Sequence, residues 1–211
     1  MKKIFFLIAF TIAITNVFAD TPLTETNFYK AYLDVSMVQQ ALKSNGRLSH
    51  EMILYLANDT NALDIKLAII NALGWNHKGH NNSKLYLNYV VKTKKYKGEA
   101  KSITFKWFAT SDELICYAYL LSLDHYFDVV DANEIAKLAL KKSPNSYAVN
   151  MIANLIKAQG LYLLDEECYS FKLFNTLKTN TLLKMDMRKD INKYIFEYMD
   201  SIGANCKYYF Q

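Results

Sequence analysis

Two of the four histidines lie close together in the most polar stretch of the chain, where they could bind a metal ion. The stretch runs from Trp75 to Ser83 and contains His77 and His80. Neutral imidazole is a common ligand of zinc and copper, and this spacing could bring both rings to one ion. Because no third ligand follows nearby, we predict a solvated loop without a cofactor. A metal site at His77 and His80 is the alternative.

A second polar cluster combines carboxylates with an imidazole. Asp124, His125, Asp128 and Asp131 follow an apolar run and precede a predicted helix. Oxygen ligands of this kind suit a divalent cation. Aspartates are also typical of a helix end and of the N-cap of the next helix. The pattern therefore predicts a corner between helices, with a cation site as the alternative.

The three cysteines indicate one disulfide and one buried thiol. Cys116 lies in the apolar run from Leu114 to Ala118, where a thiol usually packs as a small hydrophobic group. Cys168 and Cys206 are the better pair, and a bridge between them would stabilise the fold by about 3 kcal/mol. A catalytic or redox role would need a C-x-x-C spacing or a nearby partner, and the sequence offers neither.

The sequence lacks the short motifs that mark many enzyme classes. It contains no G-x-S-x-G, no H-E-x-x-H, no P-loop and no dinucleotide fingerprint. The paired carboxylates of a glycoside hydrolase can lie far apart in a chain, so a hydrolase stays open as an alternative. We therefore expect a protein that binds rather than one that catalyses.

The most basic part of the chain is also rich in aromatic residues and is the leading candidate for a contact surface. Aromatic and basic residues together supply contact area and electrostatic steering toward an acidic protein surface or an anionic envelope polymer. The alternative is a charged corner followed by a helix from Glu99 to Phe108, with Ile103 and Trp107 facing inward. The candidate contact residues are Lys94, Lys95, Tyr96, Lys97, Lys101 and Trp107.

Residues 1–19 have the pattern of a cleaved bacterial signal peptide. A basic start at Lys2 and Lys3 is followed by an apolar run and by the small-residue site Val17-Phe18-Ala19. The run is short for a membrane span, and no later segment reaches about 18 uninterrupted apolar residues. We expect one domain over residues 20–211, located in the periplasm or outside the cell, with no transmembrane segment after cleavage.

Cleavage would leave a mild positive charge. Loss of Lys2 and Lys3 lowers the formal charge from +5 to +3, because 23 basic residues then face the same 20 acidic residues. Nucleic-acid-binding proteins usually concentrate more positive charge than this, and export separates the protein from nucleic acid. We therefore expect no nucleic-acid partner.

The composition and the apolar spacing predict an all-α fold. The chain is 52% hydrophobic, yet it has only six Gly and two Pro, so it has few of the residues that separate short β-strands. Apolar residues recur near the helical period of 3.6 in most windows. We predict a single domain of about nine to ten antiparallel amphipathic helices, stacked as helical hairpins.

Several helix boundaries follow from local signals. The first helix is predicted from Glu25 to Lys43 and the last from about Leu182 to Ile202. Ser111 is a predicted N-cap, because its hydroxyl can accept a backbone N–H of the first turn. Gly160 is expected to end the helix before it by adopting a positive φ.

The stretch from Asp131 to Gly160 predicts a helical hairpin, because the corner Ser143-Pro144-Asn145 separates two amphipathic helices. The residues Ala136, Leu140, Pro144, Asn145, Ala148, Leu155 and Gly160 resemble the junction between two tetratricopeptide repeats. The segment from Asp64 to Gly74 resembles the inner helix of a HEAT-type repeat. Both resemblances imply an α-solenoid, in which each hairpin completes its core against similar neighbours.

Export, small size and helicity together resemble the periplasmic immunity proteins that protect bacteria from secreted toxins acting on the cell wall. The resemblance implies a secreted or periplasmic enzyme as the partner, and it assigns no residues. An envelope scaffold or adaptor built from helical repeats is one alternative, and a periplasmic hydrolase is another. We thus expect an exported, non-enzymatic protein-binding module, because stacked helices offer an extended contact surface.

Overall fold

The structure is a computed structural model that describes residues 21–75, 78–94 and 101–206, the last range with its side chains from 104 onward. The predicted leader lies outside these ranges. Within them the chain forms eleven α-helices, one 3₁₀-helix (Phe28–Tyr32) and no strand, which confirms the all-α prediction. None of these helices has the length and apolar character that a bilayer crossing requires. The α-helices are α1 (Pro22–Glu25), α2 (Ser36–Lys43), α3 (His50–Ala57), α4 (Leu63–Leu73), α5 (Asn82–Thr93), α6 (Lys101–Phe108), α7 (Ser111–Asp124), α8 (Val130–Lys142), α9 (Tyr147–Tyr162), α10 (Glu167–Thr179) and α11 (Ile191–Asn205).

Helix α7 lies at the centre of the fold and is buried around most of its circumference. Helices α4, α5, α8 and α9 all pack against it. Its apolar run, including Leu114, Ile115 and Cys116, is fully buried, as expected for a helix that is apolar on nearly every side. From α7 onward, each helix packs on the next one along the chain. This half of the molecule is the predicted stack of helical hairpins.

The predicted first helix is interrupted. The 3₁₀-helix ends before residues 33–35, and α2 begins only after them. Tyr32 donates its hydroxyl to Asp64 at 3.0 Å, and Tyr29 donates its N–H to the Asn71 side chain at 2.9 Å. Both acceptors lie on α4, so contacts from elsewhere in the fold override the local helical pattern.

The first turn of α7 is capped one residue earlier than predicted. The Thr110 hydroxyl accepts the Glu113 N–H at 3.2 Å, and the Glu113 carboxylate accepts the Thr110 N–H at 2.7 Å. This reciprocal capping box satisfies N–H groups that have no partner within the helix. Ser111, the predicted N-cap, is instead the first helical residue and donates its hydroxyl to the Ala139 carbonyl at 3.0 Å.

Helix α9 continues through Gly160, so the predicted helix end at that glycine is wrong. The helix closes in a Schellman motif, in which Glu166 donates its N–H to Leu161 at 2.9 Å and Asp165 donates its N–H to Tyr162 at 3.1 Å. Asp165 occupies the left-handed position of the motif, with φ 58°. An aspartate, which tolerates this conformation better than most residues, therefore takes the place usually held by glycine.

Residues 181–190 form no helix, and α11 starts later than predicted. This segment pairs with the start of α9, because Lys184 donates its N–H to Asn145 at 2.7 Å and accepts the Tyr147 N–H at 3.0 Å. The Asp186 carboxylate accepts the Ala148 N–H at 2.7 Å. The 181–190 segment thus satisfies backbone groups that the first turn of α9 leaves without helical partners.

The same segment joins the C-terminal helices to the N-terminal part of the fold. Arg188 donates two hydrogen bonds to Asp34, at 2.5 and 3.0 Å, and one to the Ala31 carbonyl at 2.8 Å. Its guanidinium lies 4.6 Å from the centre of the Tyr32 ring. Helix α1 also packs against α9 and α11. In a linear solenoid each repeat contacts only its neighbours, so these contacts close the stack on itself.

The predicted disulfide between Cys168 and Cys206 is present and joins α10 to the residue after α11, with 5.4 Å between the two Cα atoms. Near the bridge, α11 approaches α10 closely. A Cβ at Gly203 would lie 2.2 Å from the Phe171 ring. The two helices can therefore pack at this distance only because residue 203 has no side chain.

Candidate functional site

Two of the six candidate contact residues have side chains that the structure describes. Lys95, Tyr96 and Lys97 lie outside the described residues, and Lys101 is described only as the first backbone position of α6. The side chains of Lys94 and Trp107 are both described. Lys94 is partly buried and forms ion pairs, whereas Trp107 is exposed.

Lys94 is part of an ion-pair network that joins a buried carboxylate to an exposed one. Its amine pairs with the carboxylates of Asp59 and Glu113, and the distance to Glu113 is 2.8 Å. Only 24% of the Lys94 side chain and 3% of the Glu113 side chain are exposed. Burial alone would lower the pKa of the amine, but its hydrogen bonds to Asp59 and Glu113 outweigh burial and raise that pKa. Lys94 therefore neutralises a buried carboxylate that also caps α7.

Trp107 and Phe108 are exposed next to each other at the end of α6, with exposed fractions of 74% and 72%. The interpretation in which Trp107 faces inward is wrong. Phe105 occupies the inner face instead, because it is 1% exposed and its ring meets the Tyr117 ring edge-on at 5.5 Å. Large exposed apolar patches often mark interaction sites, so the pair is a candidate anchor for a partner.

The C-terminal end of α8 lies beside the end of α6. Lys142 donates from its amine to the Trp107 carbonyl oxygen at 3.1 Å. Ser111, which follows α6 closely in the chain, is hydrogen-bonded to Ala139 of α8 at 3.0 Å. These two contacts bring the end of α6, which carries the exposed rings, next to the last turns of α8, which carry Lys141 and Lys142.

One carboxylate on α8 lies among lysines from both helices. Lys137 pairs with Glu134 at 2.6 Å. The hydrogen bond from Lys137 holds the pKa of Glu134 below its usual value, and Lys141 and Lys106 lower that pKa further. Lys106 of α6 and the lysines of α8 therefore act on the same surface.

We call this surface the basic aromatic face. It combines two exposed rings with four lysines and one carboxylate, so its charge is positive. Glu134, Lys137 and Lys141 follow one another at i, i+3 and i+7 spacing and form one exposed stripe on α8. No local pattern placed that stripe beside α6. The members of the face are Lys106, Trp107, Phe108, Glu134, Lys137, Lys141 and Lys142.

The described residues contain no group of three His, Cys, Asp or Glu side chains that could hold a metal ion. His77, one of the two histidines of the alternative metal site, lies outside the described ranges. In the acidic corner, Asp124 accepts the N–H of Ser83 at 2.7 Å, and Asp128 accepts the N–H of Val130 at 3.2 Å. These carboxylates bind the first residues of α5 and α8, which agrees with the predicted helix corner.

The free thiol of Cys116 is fully buried, as predicted. Desolvation by the surrounding core raises the pKa of this thiol to about 12. The thiolate is the reactive form of cysteine, and a thiol with this pKa stays protonated at neutral pH. Cys116 therefore packs as a small hydrophobic side chain.

Comparison of the chain with known proteins gives no match to a family model, to a curated protein or to a solved structure. The resemblances to helical repeats and to immunity proteins therefore stay predictions. The basic aromatic face contains one of the six predicted contact residues, Trp107, and its other members come from the geometry.

Proposed function

We propose that this chain is an exported, non-enzymatic protein-binding module that docks an acidic surface of its partner through the basic aromatic face. The observation that carries the proposal is the pair of exposed rings, Trp107 and Phe108, set among four lysines. Tryptophan is enriched among the residues that dominate binding energy at protein interfaces. Large rigid rings bind best in a shaped apolar pocket, which favours a protein partner over a flexible anionic polymer.

The rings and the lysines would contribute differently to binding. Full burial of a large apolar side chain contributes about 1.5–3 kcal/mol, so the rings would supply much of the affinity. Exposed ion pairs contribute little individually, typically about 0–1 kcal/mol. The field of several lysines nevertheless steers an acidic partner toward the face and raises the association rate at low salt. Association should therefore slow as salt is added, while the rings set the dissociation rate.

The face is held in position before any partner arrives. Phe105 anchors α6 against Tyr117 of α7, and Lys142 binds the last turn of α6 through the Trp107 carbonyl. A surface that is already ordered loses less conformational entropy on binding than a mobile one. This rigidity supports its use as a docking surface.

Within this class, the specific role that we propose is that of an immunity protein, which binds one secreted enzyme acting on the cell wall and blocks it. The leader-like start of the chain and the disulfide between Cys168 and Cys206 support an oxidising compartment outside the cytoplasm. An envelope adaptor would instead join several proteins without inhibiting any of them. A periplasmic hydrolase would turn over a cell-wall substrate without a partner.

Affinity capture with matched variants tests the docking surface. The immobilised chain is exposed to the envelope and secreted fractions of its own organism, and bound proteins are quantified by mass spectrometry. Trp107→Ala combined with Phe108→Ala removes the rings. Phe127→Ala is the control, because Phe127 is 71% exposed next to the opposite end of α8. We expect one acidic protein at near-equal amount with the wild type and the control, and its loss with the ring variant.

A charge-reversal variant separates the effect of the lysines on the association rate from the effect of the rings on the affinity. Lys141→Glu with Lys142→Glu reverses two charges of the face, and Lys84→Glu with Lys189→Glu makes the same change on exposed lysines elsewhere. Only Lys141→Glu with Lys142→Glu should slow the association of the captured protein with the chain. A bound protein that all variants retain equally would place the contact elsewhere and overturn the proposal. Inhibition of a captured enzyme at equal molar amounts would support the immunity role, whereas several bound proteins without inhibition would favour the adaptor.

A further inference from the structure

A groove runs between α9 and α10 and shares no residue with the basic aromatic face. Its volume is about 510 Å³, which lies within the usual range of small-molecule sites. Helix α9 contributes Asn150, Asn154, Lys157 and Leu161 to the groove, and these residues follow one another at intervals of about one helical turn. Because α9 rises about 1.5 Å per residue, they extend over about 16 Å. The groove is therefore long enough for a chain of several small units.

Besides the charged residues Lys157, Glu166 and Lys172, the lining of the groove has two kinds of surface. Leu161, Leu173 and Leu177 supply apolar area, while amide, hydroxyl and phenol groups supply hydrogen-bonding area. Tyr169 of α10, which is 52% exposed, presents an aromatic ring at the end nearest the α9–α10 turn. Sugar rings have the same two kinds of surface, hydroxyl groups around the edge and C–H groups on the faces. Amides pair with the edge, and an aromatic ring or a leucine packs against a face.

Asn154 is a polar group of the groove whose side chain is open to a ligand. It is half-buried, and no hydrogen bond joins its amide to any residue that the structure describes. Asn150, one turn earlier, differs because its amide donates to Pro144 at 2.8 Å and to Ser146 at 2.7 Å. A carboxamide offers both a donor and an acceptor, so Asn154 can bind two neighbouring hydroxyl or acetamido groups.

The two walls of the groove are fixed relative to each other. Ser170 of α10 donates its hydroxyl to the Ala158 carbonyl of α9 at 3.2 Å. The Schellman motif at Asp165 sets the turn between the helices, and the disulfide at Cys168 holds the start of α10. A groove that is formed in advance binds a flexible ligand at a lower entropic cost.

We propose that the groove between α9 and α10 binds an oligosaccharide, with Asn154 hydrogen-bonded to the edge of a sugar ring and Tyr169 packed against a ring face. An apolar helix from a partner protein fits less well, because it would leave the Asn154 amide without a hydrogen-bond partner in the interface. Lys157, which is exposed in the same groove, would bind the carboxylate of an acidic sugar. The proposal is independent of the basic aromatic face.

Isothermal titration calorimetry of the purified chain tests this site with three probes. Chitotetraose is neutral and acetylated, cellotetraose is neutral without acetamido groups, and tetragalacturonate is acidic. Asn154→Leu keeps the approximate size of the side chain and removes the amide. Asn175→Leu is the matched control, because Asn175 is exposed on α10 outside the lining of the groove. We expect saturable binding of at least one probe, weakened about tenfold or more by Asn154→Leu and unchanged by Asn175→Leu.

The three probes also identify the ligand. If tetragalacturonate binds best, Lys157→Met should reduce that preference, because Lys172 also lines the groove. If chitotetraose binds best, Lys157→Met should have little effect. Absence of saturable binding for all three at millimolar concentration would overturn the proposal. Binding that Asn154→Leu leaves unchanged would also overturn it, provided that both variants melt at the temperature of the wild type. Neither result would affect capture of a protein by the basic aromatic face.

Discussion

The buried carboxylate of Glu113 depends on one lysine for its charge balance. Replacing Lys94 with Met keeps most of the side-chain length and removes the cation that lies 2.8 Å from a carboxylate whose side chain is 3% exposed. An unpaired buried charge is strongly destabilising, although water can reach this site because Lys94 is 24% exposed. We expect the free energy of unfolding to fall by about 2 kcal/mol, measured by urea denaturation.

Lys92→Met is the control for this prediction, because Lys92 is an exposed lysine in the last turn of α5, two residues before Lys94. Its effect should stay within about 0.5 kcal/mol. Equal losses in the two variants would contradict the structural role of Lys94. The role has a practical consequence for mapping the contact surface, since reversing Lys94 to Glu would lower stability and obscure any effect on binding.

Alkylation of the three cysteines should reveal one buried thiol and one disulfide. The pKa of Cys116 is raised to about 12, and its side chain is fully buried, so iodoacetamide at pH 8 should add nothing to the native chain. Denaturation without reductant should expose Cys116 and allow one adduct, and reduction of the denatured chain should allow three. Intact mass spectrometry counts the adducts. Rapid labelling of the native chain would contradict the buried position of Cys116.

The environments of single side chains on α5 and α6 could be predicted only in part. The basic and aromatic composition of the region is visible in the sequence, but spacing alone does not decide whether Phe105 or Trp107 faces the core. Tyr117 of α7 decides it, because its ring receives Phe105. The partly buried position of Lys94 likewise depends on its ion pairs with Asp59 and Glu113, which lie far from it in the sequence.

Two glycines in helices should respond in opposite ways to alanine. At Gly203 a Cβ would lie 2.2 Å from the Phe171 ring, so Gly203→Ala should force the ring aside and lower the free energy of unfolding by about 1–3 kcal/mol. At Gly160 the nearest atom, Val129 Cγ2, would lie 3.4 Å away, an ordinary contact. Gly160→Ala should therefore be neutral or stabilise by up to about 1 kcal/mol through helix propensity. Thermal melts compare the two, and equal losses would contradict the close approach of α10 and α11.

Local periodicity predicts where helices form better than it predicts where they end. The helical hairpin of α8 and α9 and the apolar helix α7 follow from spacing and from Pro144. Two boundaries differ because distant groups determine them. The break at residues 33–35 lies between contacts to α4 and Arg188, and residues 181–190 pair with the start of α9. The end of α9 differs for a local reason, because hydrogen bonds around Asp165 close the helix beyond Gly160.

At the scale of the molecule, two contacts between distant parts of the chain close the stack of hairpins, and a disulfide joins two neighbouring helices. Arg188 binds Asp34, helix α1 packs on α9 and α11, and Cys168 of α10 is bonded to Cys206 at the end of α11. The disulfide could be predicted from the sequence, because Cys116 lies in an apolar run and only the pairing of Cys168 with Cys206 leaves it out. The other two contacts could not, since they depend on how the helices pack. A closed stack holds both the basic aromatic face and the α9–α10 groove on a rigid scaffold.

The function was harder to predict from the sequence than the fold, because a binding surface needs no fixed sequence motif. The exposed stripe of Lys137 and Lys141 on α8 becomes a candidate site only when α6 places Trp107 beside it. Neither helix indicates the site alone. This is why the sequence located one part of the surface and left the lysines of α8 unassigned.

The most direct test of the docking surface is the dissociation constant of the captured partner, measured by calorimetry with the wild type, Trp107→Ala and Phe127→Ala. The two variants each remove one exposed ring, 74% and 71% exposed; Trp107 lies in α6 beside the C-terminal end of α8, and Phe127 precedes its N-terminal end. If the basic aromatic face carries the binding, Trp107→Ala should raise the Kd about 30-fold, equivalent to about 2 kcal/mol, and Phe127→Ala should change it less than about threefold. Equal Kd values for all three proteins would contradict the account.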